Sequence, residues 1–195
     1  LKALMYDESI SEAYSALAVA YLVRGDYDAA LESSRKAIQL DAGSMIGLYA
    51  LARVFLNTGR LAEAVKTCEQ LVELNPEFYP GMLALQSAYA GLGDTAAANA
   101  VTRRLVAFFP GYLARVPDDA RAHILFASYL AEIGDREQAL QEADTGMALS
   151  GNDAVMLYNL SCVYCLLGDP GKGVEAFLQA IDAGYGNFQW ARLDP

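Results

Sequence analysis

The sequence predicts an all-α protein built as a row of similar helix pairs. Three observations carry that prediction: a glycine recurring at a fixed interval, an apolar stripe of helical spacing ahead of each glycine, and few strand-forming residues. Gly25, Gly59 and Gly93 are 34 residues apart; a step of 41 leads to Gly134, and another step of 34 to Gly168. Such a period marks a repeat architecture in which each unit is one supersecondary element that cannot bury its apolar face alone. Hydrophobic residues make up 54% of the 195, enough for a substantial core, and the β-branched residues are too sparse and scattered for a sheet.

The first helix of each pair lies ahead of its glycine. Leu17, Leu51, Leu85, Phe126 and Leu160 stand eight residues before it, and Tyr21, Phe55, Tyr89, Leu130 and Tyr164 four before it. Residues four apart share a helix face, so these pairs form one buried stripe. The glycine ends the helix because it enters the left-handed region without a Cβ penalty.

The second helix begins one residue later. Asp26, Asp94, Asp135 and Asp169 can accept from free N–H groups of a new helical turn, and Pro170 suits the first position of that turn. Arg60 alone breaks the pattern. Five residues past the glycines stand Ala30, Ala64, Ala98, Ala139 and Gly173, where small side chains let two helices approach closely. The apolar face then continues through Ala37, Ile38 and Leu40, through Leu71, Val72 and Leu74, and through Leu105, Val106 and Phe108. Pro76 and Pro110 close their helices, because proline has no N–H to prolong the ladder.

The extra seven residues fall at about 109–115. Seven residues are nearly two turns and would preserve helix phase, but Pro110-Gly111 favours a short break before a second closing proline, Pro117. The repeats therefore run 11–44, 45–78, 79–119, 120–153 and 154–187 in a single array over 1–195. The joint between the third and fourth repeats is expected to be irregular. Residues 1–10 read as the tail of a preceding repeat, with Ala3-Leu4 at the place of Ala37-Ile38, and 188–195 as a C-terminal extension. This pattern implies a fragment of a longer protein.

Several function classes are disfavoured. Fourteen basic residues against 24 acidic ones give a net charge of −10, opposite to what phosphate recognition needs, so no nucleic-acid partner is expected. No uncharged stretch is long and apolar enough to span a bilayer. Cys68, Cys162 and Cys165 form no disulfide framework and fit a reducing, cytoplasmic setting. Cys162-x-x-Cys165 lies within a helix without a second ligand pair, so it reads as packing rather than a metal or redox site. His123, the sole histidine, stands where the other repeats have Tyr14, Leu48, Met82 and Leu157, and reads as packing too. No phosphate loop or nucleophile elbow is present. The expectation is a non-enzymatic chain without cofactor or metal.

Taken together, the period of 34, the Leu-Ala pairs (Leu17-Ala18, Leu51-Ala52), the aromatic, Gly-Asp, the tight alanine and the closing proline resemble the tetratricopeptide repeat family. The resemblance implies a right-handed α–α superhelix, a tetratricopeptide solenoid, whose first helices line a concave face that binds another polypeptide. It assigns the site to residues thirteen, ten, six and three before each glycine. Transferred here, these include Ser15, Val19 and Leu22; Ile46, Tyr49, Arg53 and Leu56; Leu83; Arg121 and Ile124; Tyr158 and Cys162. Apolar residues, aromatics and arginines on such a strip are interface-forming types. The family's basic clamp for a C-terminal carboxylate is missing, since Ser15, Val19 and Tyr49 stand there with only Arg53 basic. The implied guest is an apolar peptide or an amphipathic helix.

The C-terminal third, from Pro117-Asp118-Asp119 through Leu157-Tyr158-Asn159 to Trp190 and Asp194-Pro195, resembles repeats attached to bacterial signalling enzymes such as adenylate cyclases and serine/threonine kinases. That implies a regulatory or localising module as one alternative to a free-standing adaptor. A self-associating array, hence a homo-oligomer, is another.

Overall fold

The structure is a computed structural model that describes residues 10–186. The readings of Ala3-Leu4 as a preceding repeat's tail, of 188–195 as an extension, and of the Trp190 to Pro195 ending lie outside the described residues. Among the described residues all regular structure is helical: α1 (Ser11–Val23), α2 (Tyr27–Leu40), α3 (Met45–Asn57), α4 (Leu61–Leu74), α5 (Tyr79–Gly91), α6 (Thr95–Leu113), α7 (Ala120–Glu132), α8 (Arg136–Ser150), α9 (Ala154–Leu166) and α10 (Pro170–Asp182). The chain divides into two compact units, Leu1–Arg103 and Arg104–Pro195, with the division inside α6.

The turn within each pair is built as its sequence requires. Gly25, Gly59, Gly93, Gly134 and Gly168 have φ of 74°, 72°, 76°, 85° and 75°, a region costly for any residue with a Cβ. The next residue's N–H reaches back to the carbonyl at the recurring stripe position: Asp26 to Tyr21, Arg60 to Phe55, Asp94 to Tyr89, Asp135 to Leu130 and Asp169 to Tyr164, at 2.9–3.0 Å. With the glycine N–H bonded to the carbonyl three residues back, each turn is a complete Schellman motif. The same aspartates then cap the second helix, accepting from Ala29, Ala97, Gln138 and Lys172 N–H at 3.0–3.2 Å. Arg60 offers no such acceptor. It bonds Glu63 instead, with Nε 2.6 Å from Oε2 and a second contact from Nη2 to Oε1, and its guanidinium lies 4.5 Å from the Phe55 ring centre.

The small residues inside the second helices do what close approach demands. Ala30, Ala64 and Ala139 are fully buried, and Ala98 nearly so. A Cβ on Gly173 would lie 2.5 Å from Cys165 Sγ and 3.1 Å from the Ser161 carbonyl, so nothing larger than hydrogen fits without movement.

Two expectations are corrected. The third second-helix does not stop at Pro110: α6 continues to Leu113 with Pro110 inside it. Proline costs a helix a hydrogen bond and a clash with the preceding turn, but Phe109 and Leu113, four residues apart, are both buried. Phe109 packs on Phe126 and Tyr129 with centroids 5.4 and 6.4 Å apart. Burial of an aromatic is worth about 1.5–3 kcal/mol, comparable to what the proline removes. The insertion therefore lengthens the helix, to 19 residues against 14 in α2 and α4, rather than breaking it. Second, the apolar face of α2 and α4 does not run to its last residue: Leu40 and Leu74 are exposed, whereas Ala37, Leu71 and Val72 are core.

In the first unit α1 packs on α2 and α3, α3 on α4, and α5 on both α3 and α4; in the second α7 packs on α8 and α9, and α9 on α10. First helices thus lie side by side within each unit, so equivalent positions of α1, α3 and α5 share one face.

Candidate functional site

The face of the first unit centres on α3. Ser44 caps this helix by accepting from Gly47 N–H at 3.3 Å, and Gly47 keeps the helix start close to α2, since a Cβ there would meet Ala37 Cβ at 3.1 Å. From that anchored start Ile46, Tyr49, Arg53 and Leu56 follow at helical spacing on one face. Ile46 is 37% exposed and the other three are half-buried. Tyr49 meets Phe78 edge to face, with centroids 5.4 Å apart at 90°. Arg53 Nη1 donates to the Tyr49 hydroxyl at 3.1 Å, and its guanidinium carbon lies 5.9 Å from that ring's centre.

No carboxylate among the described residues pairs with Arg53. Among the described residues this half-buried guanidinium therefore bonds a phenol and no carboxylate, which leaves its charge open to an acidic partner. On α1 Val19 is 37% exposed and Leu22 half-buried; on α5 Leu83 is half-buried. Ile46 also borders an open cleft of about 330 Å³ with Ser11, Glu12, Asp41 and Met45. Phe78 belongs to this face although its sequence position hid it: it precedes α5, and only its ring contact with Tyr49 places it there.

Not every sequence-assigned residue faces outward. Ser15 is buried, its hydroxyl 2.9 Å from that of Ser44. Ile124 is 0% exposed in a cluster with Ala127, Ala143, Leu160, Val163 and Ala176. Tyr158 is buried against Tyr185, the two rings stacked at 4.6 Å, and against Phe177. Arg121 is exposed, and Cys162 is half-buried with its thiol donating to the Tyr158 carbonyl at 3.4 Å. The second unit thus presents fewer of these residues than the first.

The candidates for chemistry have structural occupations. His123 is buried, with Nδ1 2.6 Å from Glu142 Oε2 and Nε2 donating to the Pro117 carbonyl at 3.1 Å, tying α7 to α8 and to the preceding turn. Burial pushes the Cys68 thiol up to about 12, away from the thiolate that reactivity needs. The Tyr89 hydroxyl, bonded to Glu69 Oε1 at 2.6 Å, is pushed up to about 12 chiefly by that carboxylate acceptor. Among the described residues no group of His, Cys, Asp and Glu could hold a metal ion, and no helix is long and apolar enough to cross a membrane.

Comparison with known proteins agrees with this geometry. The tetratricopeptide repeat family model matches residues 21–89. No curated protein matches the chain. Among solved structures, TTC0263, a thermophilic tetratricopeptide repeat protein of Thermus thermophilus, is 21% identical, with 92% of this chain and 94% of that one covered at a TM-score of 0.70. A tetratricopeptide repeat protein of Parabacteroides merdae is 14% identical, with 98% and 72% covered at 0.64. YrrB, a tetratricopeptide repeat protein with an unusual peptide-binding site, is 20% identical, with 96% and 93% covered at 0.53. The fold shared with these structures is the all-α tetratricopeptide-repeat solenoid.

Proposed function

We propose that the chain is a protein-interaction module whose first unit holds a polypeptide along the face of α1, α3 and α5. The carrying observation is Arg53: a half-buried guanidinium that bonds the Tyr49 hydroxyl and no carboxylate among the described residues, on a face where the Tyr49 ring meets Phe78 and Ile46 is exposed. Apolar surface around a lone cation fits an apolar peptide or amphipathic helix that brings one acidic group to Arg53, since a charge-assisted bond is worth most where water is displaced. YrrB, with its peptide-binding site, supports the reading by analogy of fold.

The test is selection of binders from a random peptide library on immobilised protein, followed by affinity measurement against the Tyr49→Ala, Arg53→Ala variant. Loss of about tenfold or more is expected, as for a hot-spot pair, and acidic residues should be enriched among the selected peptides. Equal affinity for the variant would remove the face from consideration.

A further inference from the structure

The hydroxyls of Tyr89 and Tyr112 donate to carboxylates within the chain, to Glu69 Oε1 at 2.6 Å and to Asp119 Oδ2 at 2.8 Å. The Tyr49 hydroxyl is placed the other way round. Its oxygen accepts from Arg53 Nη1 at 3.1 Å, so its own proton is left to donate elsewhere. Among the described residues no acceptor takes that proton, and none takes the other N–H groups of the Arg53 guanidinium. A phenol that accepts from a cation is polarised and donates more strongly. Two adjacent half-buried donors, one of them cationic, make a place for an oxyanion.

Resting on the reading of this face as a polypeptide-binding surface, we propose that Tyr49 O–H and the Arg53 guanidinium together hold one Asp or Glu side-chain carboxylate of the guest. The two carboxylate oxygens accept one bond from each donor. The charge suits a carboxylate better than a phosphate. Arg53 is the only basic residue in α1, α3 and α5, and one guanidinium balances one negative charge, whereas a phosphorylated side chain carries about 1.5–2. The surroundings suit a side chain better than a chain end. On α3 Ile46 lies about 10 Å before Arg53 along the helix axis and Leu56 about 5 Å after it. Apolar surface thus continues past the pair in both directions, and the guest runs on beyond it.

The test uses an acidic peptide selected on the wild-type protein and the same peptide with the side-chain amide in place of that acid. Tyr49→Phe keeps the ring that meets Phe78 and removes only the hydroxyl. It should weaken the acidic peptide about tenfold and leave the amide peptide nearly unchanged. In an Arg53→Ala background, Tyr49→Phe should weaken the acidic peptide further, about threefold or more, because a donor to the carboxylate is still lost. A tyrosine that only positioned Arg53 would have no effect there. Equal binding to wild type and Tyr49→Phe, or no further loss in the Arg53→Ala background, would overturn the proposal; loss on Tyr49→Ala, Arg53→Ala would then still leave the face as the binding surface. Selected peptides that lack an acid, loss of binding on amidation of the peptide's C-terminus alone, or tighter binding of a phosphoserine in place of the acid would overturn it as well. Binding that Tyr49→Ala, Arg53→Ala leaves intact would remove the face itself, and the proposal with it.

Discussion

The first helices of residues 11–91 and those of residues 120–166 occupy the same repeat positions but divide space differently. In the first unit, glycines on the incoming first helices meet side chains of the preceding second helix: Gly47 faces Ala37, and Gly81 faces Leu71. In the second unit the glycine has moved to the second helix. Gly146 stands where Ala37 and Leu71 stand, and a Cβ there would lie 2.7 Å from Ile124 Cγ1 and 2.9 Å from the Ala120 carbonyl oxygen. Ile124, at the place of Tyr49, therefore turns inward and fills the gap, with Met156 packed beside its cluster. Ile46 is exposed and Tyr49 half-buried, whereas Ile124 is core.

The sharpest way to break this contrast is to truncate an isoleucine in each unit. Ile124→Ala should cost about 2–5 kcal/mol in urea unfolding, as for a fully buried side chain, and Ile46→Ala should stay within about 0.5 kcal/mol. Similar costs at the two positions would erase the distinction.

A second contrast lies between α4, which ends at Leu74 before Pro76, and α6, which runs through Pro110. Because Phe109 and Leu113 hold α6 together against the proline, Pro110→Ala should stabilise the chain by up to about 3 kcal/mol. A loss of stability would mean that the ring itself packs or that the helix is interrupted there.

Gly146→Ala should destabilise by about 1–3 kcal/mol through overpacking. Adding Ile124→Val should recover part of the loss, a coupling expected only for residues in contact. Strict additivity of the two substitutions would show that Ile124 does not fill the space that Gly146 leaves.

How much of this was legible in the sequence follows from what each feature depends on. The turns depend on local chemistry alone: a glycine at positive φ closing an apolar stripe, followed in four of the five by aspartate, makes them readable. Exposure on the first helices depends on which partner is small. Ile124 and Tyr49 look alike as repeat positions until Gly146 and Phe78 are placed beside them, and Gly146 lies 22 residues from Ile124 in the chain. Continuity of α6 was half-readable. The buried series Ala98, Val101, Leu105, Phe109 and Leu113 keeps helical spacing through the insertion, but local proline propensity argued against it, and tertiary burial of Phe109 prevailed. Likewise Ser15 resembled a surface residue until Ser44 was placed within bonding distance.

The smallest effect belongs to the turn that departs from the aspartate rule. Where the other repeats place a carboxylate to accept an N–H three residues on, Arg60 spans the same interval to Glu63. Its hydrogen bond is the main cause holding the Glu63 carboxyl below the usual carboxylate range, with the charge of Arg60 adding to it. A carboxyl depressed in the folded state contributes stability above its unfolded pKa and loses it as pH falls through the folded value. Wild type should therefore melt slightly above Glu63→Gln at neutral pH, and the two should converge on acidification. Both groups lie at the surface, so added salt should shrink the neutral-pH difference as well. The matching control is Asp135→Asn at the aspartate-type turn of the second unit: asparagine still offers an oxygen to the Gln138 N–H, so that pair should differ little at neutral pH. A Glu63→Gln difference that persists in acid would show that the Arg60 turn, like the others, is held by its backbone motif rather than by its charges.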